Sequence, residues 1–266
     1  MAKMRLLILI GVLLLIFPNF AYAEPADTFS GLSFSIGGDL SRDLSTADNR
    51  FSYVNLFAGA PDAENSDIVS VNPENEIDVV PFAKFGYTFA LSKKFLLGFS
   101  ASFDLAKTNK ILQSERYFFA NPNNRTDFIV DYRVTTKIKS QFHWSVAVEP
   151  GYMFTENMAG FLKLSYHQMN ADIISQTTVD TSNLPSSPSI VDTRHQRNFS
   201  GVGAGVSLKF LVSSFFIEPS AEWTQFFSKQ VLGPSLVRVP SELFLTQSHR
   251  VSPSWFRFGV SVGYKF

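Results

Sequence analysis

The stretch "FRFGVSVGYKF", residues 256–266, decides the fold because apolar and polar residues alternate along it without a break. The apolar positions are Phe256, Phe258, Val260, Val262, Tyr264 and Phe266, and the positions between them are Arg257, Gly259, Ser261, Gly263 and Lys265. This period of two predicts a β-strand with one apolar and one polar face. Chain ends are commonly polar and loosely held, so an aromatic last residue suggests that this strand is paired along its whole length.

The composition favours a protein whose surface is not charged everywhere. The 266 residues include 28 Phe, 8 Tyr and 3 Trp, and only 17% are charged, against about 25% in a typical soluble domain. The formal net charge is zero, which gives no electrostatic argument for a nucleic-acid partner. Cysteine is absent, so disulfides and cysteine-based metal sites are excluded.

The first 23 residues have the three parts of a secretory signal peptide. A basic start with Lys3 and Arg5 precedes an apolar run at 6–17, and the small residues Ala21 and Ala23 precede the predicted cleavage site. The predicted organisation is therefore a signal peptide at 1–23 and one exported domain at 24–266. Beyond the signal peptide, no apolar run reaches the length of about 18 residues that a transmembrane helix needs.

The exported domain contains eight segments that repeat the alternation. They lie at about 31–40, 80–91, 95–106, 128–154, 159–170, 199–212, 215–226 and 256–266. Three connections between them are very short, and four are long and rich in Asn, Asp, Ser and Pro, at about 41–79, 107–127, 171–197 and 227–253. Short turns at one end and long loops at the other are typical of outer-membrane barrels. The sequence predicts an all-β, eight-stranded, antiparallel up-and-down transmembrane β-barrel with long extracellular loops; a soluble sandwich is the alternative.

Three details refine this prediction. The fourth segment is much longer than the 9–11 residues that cross hydrocarbon, so we expect strands three and four to continue above the membrane as a ribbon. Pro150 and Pro219 are expected to mark bulges. Aromatic residues near the short turns predict a girdle on the periplasmic side, whereas the three tryptophans are expected toward the outer interface: Trp144, Trp223 and Trp255.

The inward parity of the predicted strands collects charged residues of both signs. The acids are Asp39, Asp104, Glu149, Glu218 and Glu222, and the basic residues are Lys84, Lys163, Lys209 and Arg257, with His167 beside them. An eight-stranded barrel encloses a space just wide enough for side chains, and buried charges must be paired. We therefore expect a plug of paired charges; a narrow polar path and a catalytic role remain as alternatives.

Nothing in the sequence indicates an enzyme or a cofactor. His143 and His167 are expected to face inward on neighbouring strands and could bind a metal, but no third ligand is evident. "QSH" offers Ser248 beside His249, yet adjacent residues of an extended chain point in opposite directions. No serine-hydrolase, metalloprotease or phosphate-binding motif occurs. We therefore expect no catalytic residue, no metal and no cofactor.

These features together resemble the eight-stranded outer-membrane β-barrels of Gram-negative bacteria, the OmpA-like and opacity-type surface barrels. In that family, the last strand ends on an aromatic residue preceded by alternate apolar residues, as here at Phe258, Val260, Val262, Tyr264 and Phe266. The resemblance implies that the barrel-assembly machinery recognises this strand as an insertion signal. No segment corresponds to the peptidoglycan-binding domain of the full OmpA architecture, so a cell-wall tether is not implied.

The expected location is the bacterial outer membrane, with lipid and lipopolysaccharide as neighbours. The leading functional expectation is a porin-like barrel with a plugged interior that acts in membrane structure, or in adhesion to a host or surface ligand through its loops. A narrow channel for small solutes and a membrane-embedded lipid hydrolase are the alternatives.

Overall fold

The computed structural model describes residues 28–55, 69–71, 77–107, 109–120, 129–181, 189–232, 236–237 and 243–266. The predicted signal peptide, with Ala21 and Ala23, lies outside these described residues. In the described part of the chain, no helix is long and apolar enough to cross a membrane.

Eight strands form a closed antiparallel ring, as predicted from the alternation. Around the ring the order is β1, β4, β5, β7, β8, β9, β10 and β14, and β14 pairs with β1. The bounds are β1 Gly31–Asp43, β4 Ile77–Ala90, β5 Phe95–Asp104, β7 Ile129–Thr155, β8 Met158–Thr181, β9 Ser189–Val212, β10 Phe215–Phe226 and β14 Ser254–Lys265. Consecutive ring strands are neighbours throughout, so the prediction of an eight-stranded up-and-down barrel is confirmed.

The ring closes between the first and last strands. The pairing of β1 with β14 runs without a break from Ser33 opposite Lys265 to Asp43 opposite Trp255. The backbone N–H of Phe266 also donates to the carbonyl oxygen of Leu32 at 2.9 Å. The last residue is therefore held by the ladder.

The two ends of the barrel differ as predicted, and the described parts of the long connections consist mostly of strands. At one end, short turns join β4 to β5, β7 to β8 and β9 to β10. The described parts of the long connections form β2 Thr46–Asn55, β3 Val69–Val71, β6 Asn109–Ala120, β11 Lys229–Leu232, β12 Leu236–Val237 and β13 Leu243–Ser252. Within these residues the long connections are strand-paired, with β2 on β13 and β6 on β7.

Two sheets extend from the end of the barrel opposite the short turns. The tall sheet consists of β3, β6 and the upper parts of β7, β8 and β9 above Gln141, Met169 and Ser200. The small sheet contains β2, β13, β11 and β12. The strand β7 has 27 residues, and β8 and β9 have 24 each, against 12 in β14. A ribbon above the membrane therefore exists. The third ring strand, β5, does not continue into it; the separate strand β6 pairs with β7 there instead.

A register shift changes the parity of β7 where the tall sheet begins. The pairing of β7 with β8 shifts between Ser140 and Phe142. Below it Phe142 faces outward and is half exposed, whereas above it Ile138 is buried inside. By contrast, Pro150 and Pro219 interrupt the ladder without changing its register. The prediction of bulges at these prolines is wrong. Instead, the ladder between β7 and β8 has no residue pair at Pro150, and the ladder between β10 and β9 has none at Pro219.

The outer face of the ring is apolar on all eight strands. Many of its large apolar side chains are 36–74% exposed, as in Ile36, Val79, Phe95, Leu162 and Val212. Aromatic rings surround the end with the short turns, where Tyr87 contacts Phe89, Tyr152 contacts Phe154 and Tyr264 contacts Phe266 at centroid distances of 4.5, 5.7 and 5.0 Å. A closed ring with an apolar band and an aromatic girdle is the surface that a bilayer requires.

Candidate functional site in the barrel interior

All ten charged or histidine residues of the predicted interior network lie in the lumen. They are Asp39, Lys84, Asp104, Glu149, Lys163, His167, Lys209, Glu218, Glu222 and Arg257, and ion pairs connect them. The alternation of each strand positions them, since the intervening residues face lipid. The network has two tiers, which differ in their distance from the short turns.

The lower tier is built around Lys84. Its Nζ lies 3.0 Å from Oε1 of Glu149 and 2.8 Å from Oε1 of Glu218. Lys209 lies 3.7 Å from the other oxygen of Glu218, and Ser100 donates to Glu149 at 2.7 Å. Two lysines thus neutralise two glutamates, which is the condition for burying these charges.

The upper tier joins five ring strands through side chains. Arg257 donates two parallel hydrogen bonds to Asp104, at 2.9 and 2.7 Å, and lies 3.7 Å from Asp39. On the opposite side, Lys163 donates to Oε2 of Glu222 at 2.7 Å. Bidentate arginine–carboxylate pairs fix geometry as well as charge, so this tier holds the strands in a defined arrangement.

Two buried imidazoles connect the two sides of the upper tier. Nδ1 of His143 lies 2.9 Å from Oδ2 of Asp104, and its Nε2 lies 3.0 Å from Nδ1 of His167. Nε2 of His167 in turn lies 3.0 Å from Oε1 of Glu222 and 2.7 Å from Oγ of Ser165. The result is a continuous array across the lumen, from carboxylate through two imidazoles to carboxylate.

Apolar residues close the lumen above the imidazoles. This apolar cap consists of Ile138, Met169, Ala171, Ile173, Phe199, Phe226, Val231, Val251 and Trp255. Both sheets above the barrel contribute to it, and the ring of Trp255 packs edge-on against His143 at 5.1 Å between centroids. The expectation that Trp255 lies at the outer interface is wrong, because its position shares the inward parity of Arg257.

A second apolar cluster closes the end with the short turns. It consists of Phe29, Leu96, Met153, Ala159, Phe161, Leu211 and Phe216. Phe29 comes from the segment before β1 and is only 3% exposed. Between the two closures, a cavity of about 40 Å³ touches both tiers, which is room for a very few water molecules.

The interior does not have the ligands of a metal centre in the described part of the chain. No group of three or more His, Cys, Asp or Glu side chains there has suitable geometry. His143 and His167 contact each other directly, so each already uses the nitrogen that would face a metal between them. Ser165 donates to Glu222 at 2.5 Å and is buried.

The outward face of the tall sheet carries a separate polar ladder. Asp172 accepts hydrogen bonds from Arg194 at 2.5 Å and from Gln141 at 2.6 Å. Asn170 donates to Asn198 at 2.6 Å and accepts from a glutamine at 2.9 Å. The hydrogen bond from Arg194 holds the pKa of Asp172 below its usual value. This ladder lies directly above the lipid-facing band.

The residues of the predicted assembly signal lie on the lipid face of β14. Phe258, Val260, Val262, Tyr264 and Phe266 are 39–71% exposed, and β14 pairs with both β1 and β10. Their recognition by assembly machinery stays a prediction.

An even number of antiparallel strands, an apolar band with an aromatic girdle, and unequal ends define one class of membrane protein. The chain has the fold of an eight-stranded outer-membrane β-barrel.

Comparisons with known proteins concern this architecture alone. No protein-family model and no curated protein sequence matches the chain. The attachment invasion locus protein Ail of Yersinia pestis is similar at 12% identity and a TM-score of 0.32, covering 86% of this chain and 99% of Ail. The outer membrane protein OprG of Pseudomonas aeruginosa is similar at 10% identity and a TM-score of 0.36, covering 89% of this chain and 97% of OprG. The outer membrane protease OmpT of Escherichia coli is similar at 6% identity and a TM-score of 0.38, covering 90% of this chain and 98% of OmpT. No residue role transfers from them.

The sequence predictions left several interior residues outside the predicted network. The alternation predicts that His143 faces inward, but its contact with His167 depends on the register between β7 and β8, which the sequence does not reveal. Ser165 shares the inward parity of Lys163 and His167, a signal that could have identified it. Phe226 and Trp255 belong to the cap because the sheets above the barrel fold over its mouth.

Proposed function

We propose that this outer-membrane barrel is a surface protein whose closed interior acts as a scaffold and whose extracellular sheets bind a partner outside the cell. One observation carries the proposal: apolar clusters close both ends of the lumen and paired charges lie between them, while β7, β8 and β9 continue far above the membrane. A barrel that conducts solutes needs an open path, and a scaffold needs a rigid interior. In this protein the additional length of β7, β8 and β9 lies outside the barrel.

The outward face of the tall sheet supports a polar or anionic partner. It combines the amide ladder with Lys137 and Lys139 on β7, and Arg194 on β9 is 66% exposed although it contacts Asp172. Sugar hydroxyls and phosphates are recognised by amide and cationic donors of this kind. We propose that its lower rungs contact lipopolysaccharide and that its upper part contacts a host or surface ligand.

The alternatives have less support. A narrow channel would have to displace two apolar clusters as well as the paired charges. A lipid hydrolase would need a serine that substrate can reach, and the Ser165 hydroxyl is 2.5 Å from Glu222 inside the barrel wall. We therefore propose a non-enzymatic barrel.

A truncation of the tall sheet tests the binding role. Replacing residues 177–191 with an Asn–Gly turn keeps the pairing of Gln176 with Asp192 and therefore the barrel register. We expect Gram-negative cells that produce the truncated protein to lose adhesion to a reconstituted basement-membrane matrix. Replacing the Ser213–Ser214 turn with Asn–Gly is the matched control at the other end. Equal adhesion by the truncated and full-length proteins would refute the role.

Conductance in planar bilayers tests the closed interior. We expect no reproducible step from the wild-type protein, because both ends of the lumen are filled by apolar side chains. A steady step that changes after Lys163→Ala would favour the channel instead. The conductance result does not affect the interpretation of the adhesion experiment, so the two parts of the proposal can fail separately.

A further inference from the structure

The upper part of β9 forms one edge of the tall sheet. Strand β9 pairs with β8 over nearly its whole length, but with β10 only from Gly201 downward, where Gly201 lies opposite Phe226. Beyond Phe226 the chain leaves the ring and continues into the small sheet as β11, which pairs with β13. Within the described residues, positions 189–199 of β9 therefore have a neighbouring strand on one side alone. The other side is called the β9 edge below.

The last hydrogen bond on that side shows which backbone groups face the β9 edge. The carbonyl oxygen of Ser200 accepts from the N–H of Phe227, directly after β10, at 2.8 Å. In an antiparallel ladder, the N–H and C=O of one residue point to the same side, and successive residues alternate. The register between β8 and β9 is unbroken over this stretch, so every second residue above Ser200 points its backbone groups at the β9 edge. These residues are Ile190, Asp192, Arg194, Gln196 and Asn198.

A local contact covers one of the carbonyl groups on the β9 edge. Nη1 of Arg197 donates to the carbonyl oxygen of Gln196 at 3.2 Å. This bond joins neighbours in the sequence, so a backbone N–H from another strand can replace it without disturbing the sheet. The guanidinium that is released then becomes available to a carboxylate beside it.

The repeat of the β9 edge determines what can pair with it. Its N–H and C=O groups recur every two residues, at intervals of about 7 Å, and an extended polypeptide has the same repeat, whereas a saccharide or a phosphate group does not. We propose that the β9 edge is the docking surface for an extended polypeptide segment of a partner protein, which adds to the tall sheet as a further strand. This inference rests on the proposed binding role of the extracellular sheets and names the kind of partner.

Charged side chains at the β9 edge select among such segments, because charges on an edge strand oppose unspecific pairing. Arg194 already contacts Asp172, whereas Arg197 contacts a neutral carbonyl oxygen. A partner strand with an acidic residue beside Arg197 therefore gains an ion pair that a neutral strand does not.

A second copy in the same membrane fits the β9 edge poorly. Two copies would bring their β9 strands together in parallel. In a parallel pair in register, the residues that bond across the gap come from opposite positions of the alternation on the two strands. Two identical edges present the same positions, so the proposed occupant is a different polypeptide.

Amide hydrogen exchange of the protein refolded in detergent micelles tests whether the β9 edge is open. We expect the amides of the even-numbered residues 192–198 to exchange quickly, and those of the odd-numbered residues 193–197 to exchange slowly, since the latter bond to β8. Equal protection of both sets would show that the edge is covered and would overturn the proposal. Protection of the even set that appears only as the protein concentration rises would assign the edge to a second copy, which also overturns it.

A designed peptide is the probe for strand addition. Its ten residues alternate Thr and Glu, so that one face favours a strand and the other carries carboxylates. We expect this Thr–Glu peptide to slow exchange of the even-numbered amides while leaving the odd-numbered ones unchanged. No change in the even set at any peptide concentration would contradict strand addition.

A proline variant tests whether the backbone is what the peptide recognises. Gln196→Pro removes an N–H that points at the β9 edge and no bond to β8, and proline is accepted on the outer side of an edge strand. We expect the affinity for the Thr–Glu peptide to fall about tenfold or more, because a carbonyl of the peptide is left unpaired. Gln196→Ala loses the same side chain but keeps the N–H, so this matched control should bind like the wild type. Equal affinities of the two variants would overturn the proposal.

The charge preference has a test that does not depend on the folding of the proline variant. Arg197→Gln should weaken binding of the Thr–Glu peptide about two- to fivefold. Binding of a peptide that alternates Thr and Gln should not change. Equal losses for the two peptides would contradict an acidic residue beside Arg197.

Adhesion separates this inference from the proposed function. Cells that produce Gln196→Pro should lose adhesion to the same matrix as cells with the truncated sheet, whereas Gln196→Ala should preserve it. Full adhesion by Gln196→Pro, together with loss in the truncated protein, would leave the binding role intact and overturn the β9 edge as its docking surface.

Discussion

Arg257 donates to both carboxylate oxygens of Asp104, at 2.9 and 2.7 Å, across the lumen from β14 to β5. Both side chains are less than 10% exposed. Removing one member of a buried pair commonly costs about 3–5 kcal/mol. We expect Asp104→Asn to lower the free energy of unfolding by an amount in this range, because Arg257 keeps only the more distant Asp39.

Urea unfolding of the refolded barrel in micelles measures this loss. Asp192→Asn, which removes an exposed carboxylate, serves as the control and should change little. A loss no larger than that of the control would mean that the pair does not stabilise the barrel.

Lys84 is expected to be the most sensitive residue of the lower tier. Lys84→Met leaves Glu149 and Glu218 buried with only Lys209 near them, 3.7 Å from Glu218. We expect a loss of about 3–5 kcal/mol in unfolding free energy. Adding Glu149→Gln should restore part of it, because one uncompensated carboxylate is removed.

A double-mutant cycle in urea measures the coupling between the two positions. Lys93→Met, at an exposed turn position, is the matched control. Strictly additive losses would show that Lys84 and Glu149 do not interact.

Two adjacent glycines of β1 should respond oppositely to alanine. A Cβ at Gly37 would lie 2.5 Å from the backbone oxygen of Val260 and 2.8 Å from the ring of Phe82. A Cβ at Gly38 would face outward, with its nearest atom, on Val79, 3.9 Å away. We expect Gly37→Ala to cost about 1–3 kcal/mol and Gly38→Ala to be tolerated.

The temperature at which the folded band disappears on semi-native gels compares these two variants. Similar temperatures for both would indicate that the lumen has more space near Gly37 than the structure describes.

Asp172 should make the stability of the tall sheet depend on pH. Its pKa is lowered chiefly by the hydrogen bond from Arg194. A carboxyl whose folded pKa is depressed stabilises the fold above its unfolded pKa, and this contribution disappears as pH falls through the folded value. We expect the stability difference between wild type and Asp172→Asn to be largest at neutral pH and to vanish in strong acid.

Hydrogen exchange of the upper β8 and β9 amides at several pH values measures this difference. Asp192→Asn, on the same face of β9, is the matched control. A difference that grows toward acid would contradict the sign.

The alternation was sufficient to predict the ring, because a lipid face and a lumen face impose one period on every strand. It could not predict where the period changes. The shift after Ser140 reverses the parity of β7, so Ile138 points inward although it shares the even numbering of Phe142. Polar, proline-containing connections predict loops, and only pairing between sequence-distant segments, such as β2 with β13, forms the strands seen in their described parts. Contacts of that range leave no local pattern.

The pairing of β1 with β14, which closes the ring, has a consequence for the order of folding. Lys265 donates to the carbonyl oxygen of Thr28, 237 positions away, so ring closure joins the most distant parts of the described chain. Contacts of such high order form late and slowly. Until β14 arrives, both β1 and β10 have unpaired backbone groups, which a bilayer core does not tolerate. The unfinished barrel is therefore the stage at which a protecting partner matters most.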